Sequence, residues 1–178
     1  MRCALFFITA MAALVLTGCK GDPNTPEYWE KAFNSAKNKK QRVSLVEDMR
    51  TGKRTSPAFT AVLHKRLSEE KSPDVKEAIA RLLGEAKDPG SVDPLMNALD
   101  FSASESHEKA MNKEIAIALG NLGDKKAAGT LIKCLTMKDD YTRIAAIEAL
   151  GSMKAGEAAP KLMELASSDG EPPFVSKK

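Results

Sequence analysis

The feature that most constrains this 178-residue chain is an internal repeat. Three segments, VKEAIARLLG (75–84), MNKEIAIALG (111–120) and TRIAAIEALG (142–151), each end in Leu-Gly. Eleven residues beyond each of these glycines stands a leucine with a long apolar neighbour: Leu95-Met96, Leu131-Ile132 and Leu162-Met163. A weaker copy, VSLVEDMRTG (43–52), precedes them, so that the glycines lie 32, 36 and 31 residues apart. A period of this length is typical of stacked structural units.

Each unit has the pattern of two helices. In the copy at 75–84 the apolar residues recur at intervals of three and four, which is the pattern of an amphipathic α-helix. Gly84 is predicted to end that helix with a positive φ. The segment DPGSVDP follows as a turn, and Pro94 suits the first turn of a second helix. We therefore predict an all-α fold, a short right-handed α-solenoid of about four two-helix repeats.

These segments resemble HEAT repeats, in particular the short phycobilin-lyase-like HEAT variety. SPDVKEAIARLLGEAKD, KDDYTRIAAIEALGSMKAG and ALGNLGDKKAAGTLIKCL carry its pattern of paired alanines, Leu-Gly and a following Gly-Asp. The resemblance covers about residues 41–166 and implies the solenoid fold. Relatives of the lyase type attach a chromophore in the cytoplasm of photosynthetic cells. The first copy departs from the pattern, because Arg54 stands two past its glycine where the others have Ala86, Leu122 and Met153.

The N-terminal segment predicts export. Residues 3–16 are apolar except for Thr9, and at that length they suit a signal peptide better than a membrane-spanning helix, which needs roughly 20 residues. Leu16-Thr17-Gly18-Cys19 resembles a bacterial lipobox. It implies a signal peptide over residues 1–18, a lipid anchor on Cys19 and a tether over residues 19–26. An ordinary secretory signal or a buried N-terminal helix are the alternatives. The predicted localisation is the bacterial cell envelope, on a lipid-anchored membrane, with the periplasmic face of the outer membrane favoured because Lys20 follows the cysteine.

The domain organisation follows from these patterns. Residues 27–166 are assigned to the solenoid, and residues 27–40 to a helix that caps its first repeat with Trp29 and Phe33 on one side. Residues 167–178 are rich in turn formers and predict a flexible tail. After cleavage only Cys19 and Cys134 remain, so an acylated Cys19 leaves no disulfide.

Few residues suggest catalysis. His107-Glu108 resembles one of the His-Glu pairs with which deoxyhypusine hydroxylase, a HEAT-repeat enzyme, holds iron, but a single pair favours an exposed residue near a helix start. His64 is predicted on a solvated face, and Cys134 at a buried position equivalent to Ala98 and Leu165. Nucleophile, zinc and phosphate-loop motifs are absent from the sequence. We predict no catalytic residue, no cofactor and no metal ion, and therefore no enzyme.

The charge distribution bears on partners. Residues 20–71 hold 12 Lys and Arg against 7 Asp and Glu, whereas residues 72–178 hold 14 against 17. The net charge of +3 does not indicate nucleic-acid binding. Basic residues near the anchor could assist membrane contact; they are Lys37, Lys39, Lys40 and Arg42.

These observations predict a membrane-tethered envelope lipoprotein whose repeats serve as a non-catalytic scaffold for an unidentified protein partner. The second helices would present polar contact residues such as Asn97, Lys133 and Glu164. Two alternatives stay open. One is an accessory or metal-dependent enzyme that uses His107 and nearby carboxylates, and the other is a structural envelope protein that contacts lipid through its basic face.

Overall fold

The structure, a computed structural model, describes residues 21–167, and within that range every regular element is helical. The helices are α1 (Pro26–Ser35), α2 (Lys39–Thr51), α3 (Pro57–Glu69), α4 (Pro73–Ala86), α5 (Val92–Ala98), α6 (Ser106–Leu122), α7 (Ala128–Cys134), α8 (Asp140–Ser152) and α9 (Ala159–Ser167). Short 3-10 turns at Pro89–Ser91, Lys125–Ala127 and Gly156–Ala158 lead into α5, α7 and α9. None of these helices is both long enough and apolar enough to cross a bilayer.

The helices stack as four hairpins, α2–α3, α4–α5, α6–α7 and α8–α9. The first helices form one layer, in which α2 packs on α4, α4 on α6 and α6 on α8, while α3 packs on α5 in the second layer. One continuous core runs between the layers and includes fully buried leucines from successive hairpins, such as Leu83, Leu119 and Leu150. The predicted all-α solenoid is confirmed.

The Leu-Gly glycines have a different role from the predicted one. Gly84 lies inside α4 rather than at its end. A Cβ atom on Gly84 would come 2.8 Å from Cα of Ala118, and one on Gly120 would come 2.9 Å from Cβ of Ala149. These glycines therefore allow the first helices of neighbouring hairpins to approach closely, and the prediction that Gly84 ends its helix with a positive φ was wrong.

The left-handed backbone position lies three residues further along. Lys87, Gly123 and Lys154 have φ values of 54°, 69° and 52° and follow Gly84, Gly120 and Gly151 by three residues each. The residue at this position reverses the chain at the end of the first helix of each hairpin. Two of the three hairpins have lysine there, so glycine is less necessary at this position than at the close contact between helices.

The same geometry sets the register of the first hairpin. Lys53 has a φ of 53°, and the backbone N–H of Arg54 donates to the carbonyl of Met49 at 2.9 Å, as Ala155 does to Leu150 at 3.1 Å. Arg50 therefore occupies the place of Gly84, and Gly52 matches the apolar residue two beyond it. The first copy was aligned two residues out of register, and Arg54 does not break the pattern.

Helix α1 covers the free side of the first hairpin. Trp29, Ala32 and Phe33 are buried, and the indole N–H of Trp29 donates to the carbonyl of Pro23 at 2.8 Å. The helix stops at Ser35, whereas the sequence predicted a cap that runs to residue 40. The chain is extended at Ala36, and Asn38 caps α2 by accepting the backbone N–H of Gln41 at 3.0 Å.

The predicted ends of the chain lie outside the described residues. These are the signal peptide at residues 1–18, Cys19 with the first part of its tether, and residues 168–178 of the tail. Ser167, assigned to the tail, is the last residue of α9.

Candidate functional site

A cleft opens where α2, the end of α3 and the turn into α4 meet. It is lined by Arg42, Arg66, Glu69, Glu70 and Lys71. Three cationic groups and two carboxylates thus share one concave surface, and the organisation of their hydrogen bonds determines what the cleft can bind.

Glu70 fixes one wall of the cleft. Its carboxylate accepts two hydrogen bonds from Arg42, from Nε at 2.6 Å and from Nη2 at 3.1 Å, and further bonds from the backbone N–H groups of Lys71 and Ser72. Burial alone would raise the pKa of Glu70, but the hydrogen bonds from Arg42 and Ser72 outweigh it and hold the pKa below its ordinary value. Glu70 therefore stays ionised and keeps the Arg42 guanidinium in place.

Arg66 forms the opposite wall and is only partly satisfied. Its Nη2 donates to Oδ1 of Asn34 at 2.7 Å, its Nη1 lies 3.3 Å from a Glu69 oxygen, and its guanidinium stands 5.7 Å from the ring centroid of Phe33. The Nε atom is buried and makes no hydrogen bond to any residue from 21 to 167. An unsatisfied buried donor costs about 1–3 kcal/mol. Because Nε is enclosed, a ligand in the cleft would meet only the 15% of the Arg66 side chain that is exposed.

Three cationic side chains outnumber two carboxylates in this cleft, so its charge favours an anionic ligand. The carboxylate of Glu70 is fully engaged, so it is poorly suited to accept a proton from a substrate. The ammonium group of Lys71, an exposed residue, can donate to a carboxylate that enters the cleft beside the Arg66 guanidinium. Charge-assisted bonds of this kind are strengthened where the surroundings exclude water.

The four residues predicted to contact lipid have different environments in the structure. Arg42 belongs to the cleft wall and is held by Glu70, while Lys37 and Lys40 are exposed. Lys39 Nζ lies 2.5 Å from Oδ2 of Asp74. Arg66 and Lys71 were missed because a sequence alone does not show that they face Arg42, which stands one helix earlier.

His107 lies near the start of α6, as predicted, with a 70% exposed side chain. Its Nδ1 atom lies 2.6 Å from Oδ1 of Asp74. Together with Lys39 this contact joins the first turns of α2, α4 and α6, and the hydrogen bond from Lys39 leads the effects that lower the pKa of Asp74. Glu108 instead accepts the backbone N–H groups of Ser104 and Glu105 as a helix cap.

Among residues 21–167 no group of three or more His, Cys, Asp or Glu side chains is placed to hold a metal ion. The absence of a metal stays a prediction for the whole chain.

His64 is not on a solvated face. Its Nε2 atom lies 2.8 Å from Oγ of Ser91 and 4.0 Å from Oδ2 of Asp88, which also accepts the hydroxyl of Thr60. A serine, a histidine and an aspartate therefore meet, but both partners face the same ring nitrogen and Ser91 is fully buried, so this is not a catalytic triad. Burial lowers the pKa of His64, and this effect outweighs the negative charge of Asp88, which alone would raise it. The cluster ties α3 to the turn before α5.

The remaining candidates lie where the sequence placed them. Cys134 is fully buried, and that burial raises its pKa to about 12, which makes it unreactive. Asn97, Lys133 and Glu164 are exposed on the second helices α5, α7 and α9.

Comparison with known proteins identifies the family. Residues 102–174 match the family of HEAT repeats, and residues 75–101 match the PBS lyase HEAT-like repeat. The chain is a HEAT-repeat protein. The two matches adjoin and contain three of its four hairpins.

Two known proteins are similar to this chain. The HEAT-repeat protein is 40% identical over 81 residues to phycocyanobilin lyase subunit alpha of Nostoc sp. strain PCC 7120, a stretch that covers 44% of this chain and 29% of the relative. It has the fold seen in the structure of the complex of CpcE and CpcF of phycocyanin lyase from Nostoc sp. PCC7120, with a TM-score of 0.67 at 20% identity. That match covers 93% of this chain and 65% of the solved one. The chain thus matches less than a third of the curated relative.

These relatives correct the functional expectation. The predicted function of a membrane-tethered, non-catalytic scaffold was wrong, and so was the prediction that the chain is not an enzyme, because the matched proteins are subunits of a lyase. A single subunit of a multi-subunit enzyme need not contain a complete catalytic motif, so the absence of such a motif from one sequence does not exclude a relation to an enzyme. Lipidation of Cys19 and the envelope localisation stay predictions.

Proposed function

We propose that this HEAT-repeat protein is a subunit of a bilin lyase and that the cleft between α2 and α3 binds a carboxylate of the bilin. The observation that carries the proposal is the cleft in which the cationic side chains of Arg42, Arg66 and Lys71 meet. The similarity to phycocyanobilin lyase subunit alpha supports the class of ligand.

The chemistry of the ligand suits the cleft. Phycocyanobilin is an open-chain tetrapyrrole with two propionate side chains, so it combines an extended apolar body with carboxylates that cationic donors can recognise. Arg66 and Lys71 would hold one propionate, and Glu70 would keep Arg42 at the edge of the site. This arrangement orients the bilin and leaves its reacting carbon outside the cleft.

A protein partner belongs to the same proposal. The curated relative is named as a subunit, and the solved neighbour is a complex of two chains. We therefore infer that the HEAT-repeat protein works together with another polypeptide, which supplies the part of the lyase that these repeats do not contain.

Absorption titration of the purified chain with phycocyanobilin tests the carboxylate site. Lys71→Ala and Arg66→Lys should each weaken binding by about tenfold, which corresponds to about 1.4 kcal/mol. Lys125→Ala, which removes an exposed lysine outside the cleft, is the matched control and should bind as the unchanged protein does. The dimethyl ester of phycocyanobilin should bind as weakly as the acid binds to the variants. Equal affinity for acid and ester, or no binding at all, would refute the proposal.

A further inference from the structure

The two ends of the described stack differ. At the first end, α1 covers the hairpin α2–α3 with Trp29 and Phe33 buried beneath it. At the other end no helix within residues 21–167 follows α8 and α9, and α9 has no buried residue. Equivalent positions in the inner hairpins are covered by the hairpin that follows.

The third Leu-Gly glycine has no partner for its open side within the described part of the chain. Gly84 faces Ala118 of the next hairpin and Gly120 faces Ala149, both closer than a Cβ atom would tolerate. A Cβ on Gly151 would have no atom of residues 21–167 within 4 Å. The space beside Gly84 and Gly120 is occupied by a neighbouring helix, and the equivalent space beside Gly151 is open to receive one.

Residues around Gly151 show the same difference. One turn before the inner glycines stand Ala80 and Ala116, both fully buried, whereas Ile147 at the equivalent place is only half-buried. Tyr141 and Ile144 lie on the same side of α8, at intervals of three and four residues, and Tyr141 is 69% exposed.

The second helix of the last hairpin repeats the pattern. Met96 of α5 lies against Thr130 of α7, at 3.5 Å from its hydroxyl, and so points towards the next hairpin. Met163 stands at the equivalent position of α9 and is 66% exposed. We call Tyr141, Ile144, Ile147, Gly151 and Met163 the terminal face.

We propose that the terminal face docks the first helix of a HEAT repeat from a second polypeptide, which continues the stack across the junction between two chains. The inner hairpins define the partner's chemistry: an amphipathic helix that presents a small side chain opposite Gly151 and leaves a recess for Ile147. The identification of that polypeptide as a companion subunit rests on the proposed function.

Other occupants fit the face less well. Residues 168–178 read SDGEPPFVSKK, and Pro172-Pro173 in the middle is incompatible with a helix of the length of α8. A second copy of this chain would bring the same terminal face, on which Tyr141, Ile144 and Ile147 are larger than the alanines that face the inner glycines.

Site-specific photo-crosslinking in the source cells tests the docking. Benzoylphenylalanine at position 163 should crosslink to a peptide from the first helix of a HEAT repeat in another chain. The same probe at position 101 is the control, because Phe101 is a 50% exposed apolar residue outside the terminal face. Gly151→Glu should reduce the crosslink at position 163 by about tenfold or more, since it blocks the central contact. Gly129→Glu, at a helical glycine with equally open space, should leave the yield unchanged.

Each other outcome overturns the docking proposal. These outcomes are a crosslink within residues 168–178, one to a second copy of this chain, one to a protein without helical repeats, or none from a folded protein. Titration of the purified chain with phycocyanobilin measures ligand binding in the cleft independently of docking at the terminal face. A chain that binds bilin without the crosslink refutes only the docking, and one with the crosslink but no bilin binding refutes only the proposed ligand.

Discussion

Arg42 of α2 and Glu70 in the turn before α4 are joined by two hydrogen bonds of 2.6 and 3.1 Å, which fasten the first hairpin to the second. The pair is mostly buried, with 25% of the arginine side chain and 9% of the glutamate side chain exposed. It supports both the stack and the cleft, so that changes to it should affect stability as well as ligand binding.

Replacing Glu70 by glutamine should destabilise the fold. The substitution keeps the shape of the side chain but removes the charge that compensates Arg42, and we expect the free energy of unfolding to fall by about 2 kcal/mol. Urea denaturation at pH 7 measures this. Glu69→Gln is the control, because Glu69 is 51% exposed and its ion pair with Arg66 contributes about 1 kcal/mol or less. Equal losses in the two variants would contradict the assigned role of Glu70.

The same residue predicts a loss of stability in acid. The pKa of Glu70 is lower in the folded protein than its ordinary value of 4.5, so its contribution is complete above about pH 4.5 and is lost as the pH falls towards the folded value. Thermal unfolding between pH 6 and pH 3 should show this decline, with a shallower slope in Glu70→Gln. Identical slopes in the two proteins would show that Glu70 does not contribute to it.

His64 predicts a separate dependence at higher pH. Its pKa is lowered below 6.5 in the folded protein, so the unfolded chain binds more protons just below that value and stability falls as the pH drops from about 6.5. His64→Gln can keep a hydrogen bond to Ser91 but does not titrate. Its unfolding free energy should therefore change less between pH 6.5 and pH 5, where the ordinary carboxylates are still ionised. A steeper fall in the variant would contradict the assigned direction.

The Leu-Gly glycines allow a matched comparison. Gly84→Ala places a Cβ 2.8 Å from the backbone of Ala118 and should cost about 1–3 kcal/mol of stability through forced separation of α4 and α6. Gly151→Ala meets nothing within 4 Å and should raise stability by about 0.5–1 kcal/mol through helix propensity. Opposite signs in a denaturation experiment are expected, and a stabilising Gly84→Ala would contradict the close contact.

Acylation of Cys19 stays a prediction from the sequence alone. Mass spectrometry of the protein from its source should show a mature chain that begins at Cys19 and carries acyl chains. A Cys19→Ser variant should lose the lipid and keep residues 1–18. An unmodified Cys19 in the unchanged protein would remove the envelope localisation as well.

The stack was predictable because its signal is periodic. Apolar residues at intervals of three and four and the recurring Leu-Gly indicated four hairpins without any knowledge of contacts. The register of the first hairpin was not predictable, because Gly52 happens to lie near the place that Arg50 occupies. The role of Gly84 was misread since helix ends and close helix contacts both favour glycine, and only the distance to Ala118 separates the two.

The cleft depends on contacts that no local pattern encodes. Arg42 lies in α2 and Lys71 in the turn between α3 and α4, and they come together only when these helices pack. Arg66 is unusual because of its environment, since its Nε is enclosed without an acceptor, and neither enclosure nor the missing acceptor is visible in the residues around position 66. His64 was misplaced for a similar reason, because Ser91 and Asp88 come from the following hairpin.

Helix α1 has a consequence for the size of assemblies. An array with two adhesive ends can add further members indefinitely and grow into fibres. Here Trp29 and Phe33 of α1 already fill the apolar groove at the beginning of the array. The docking proposed at the opposite extremity would therefore join one molecule to one companion and then stop.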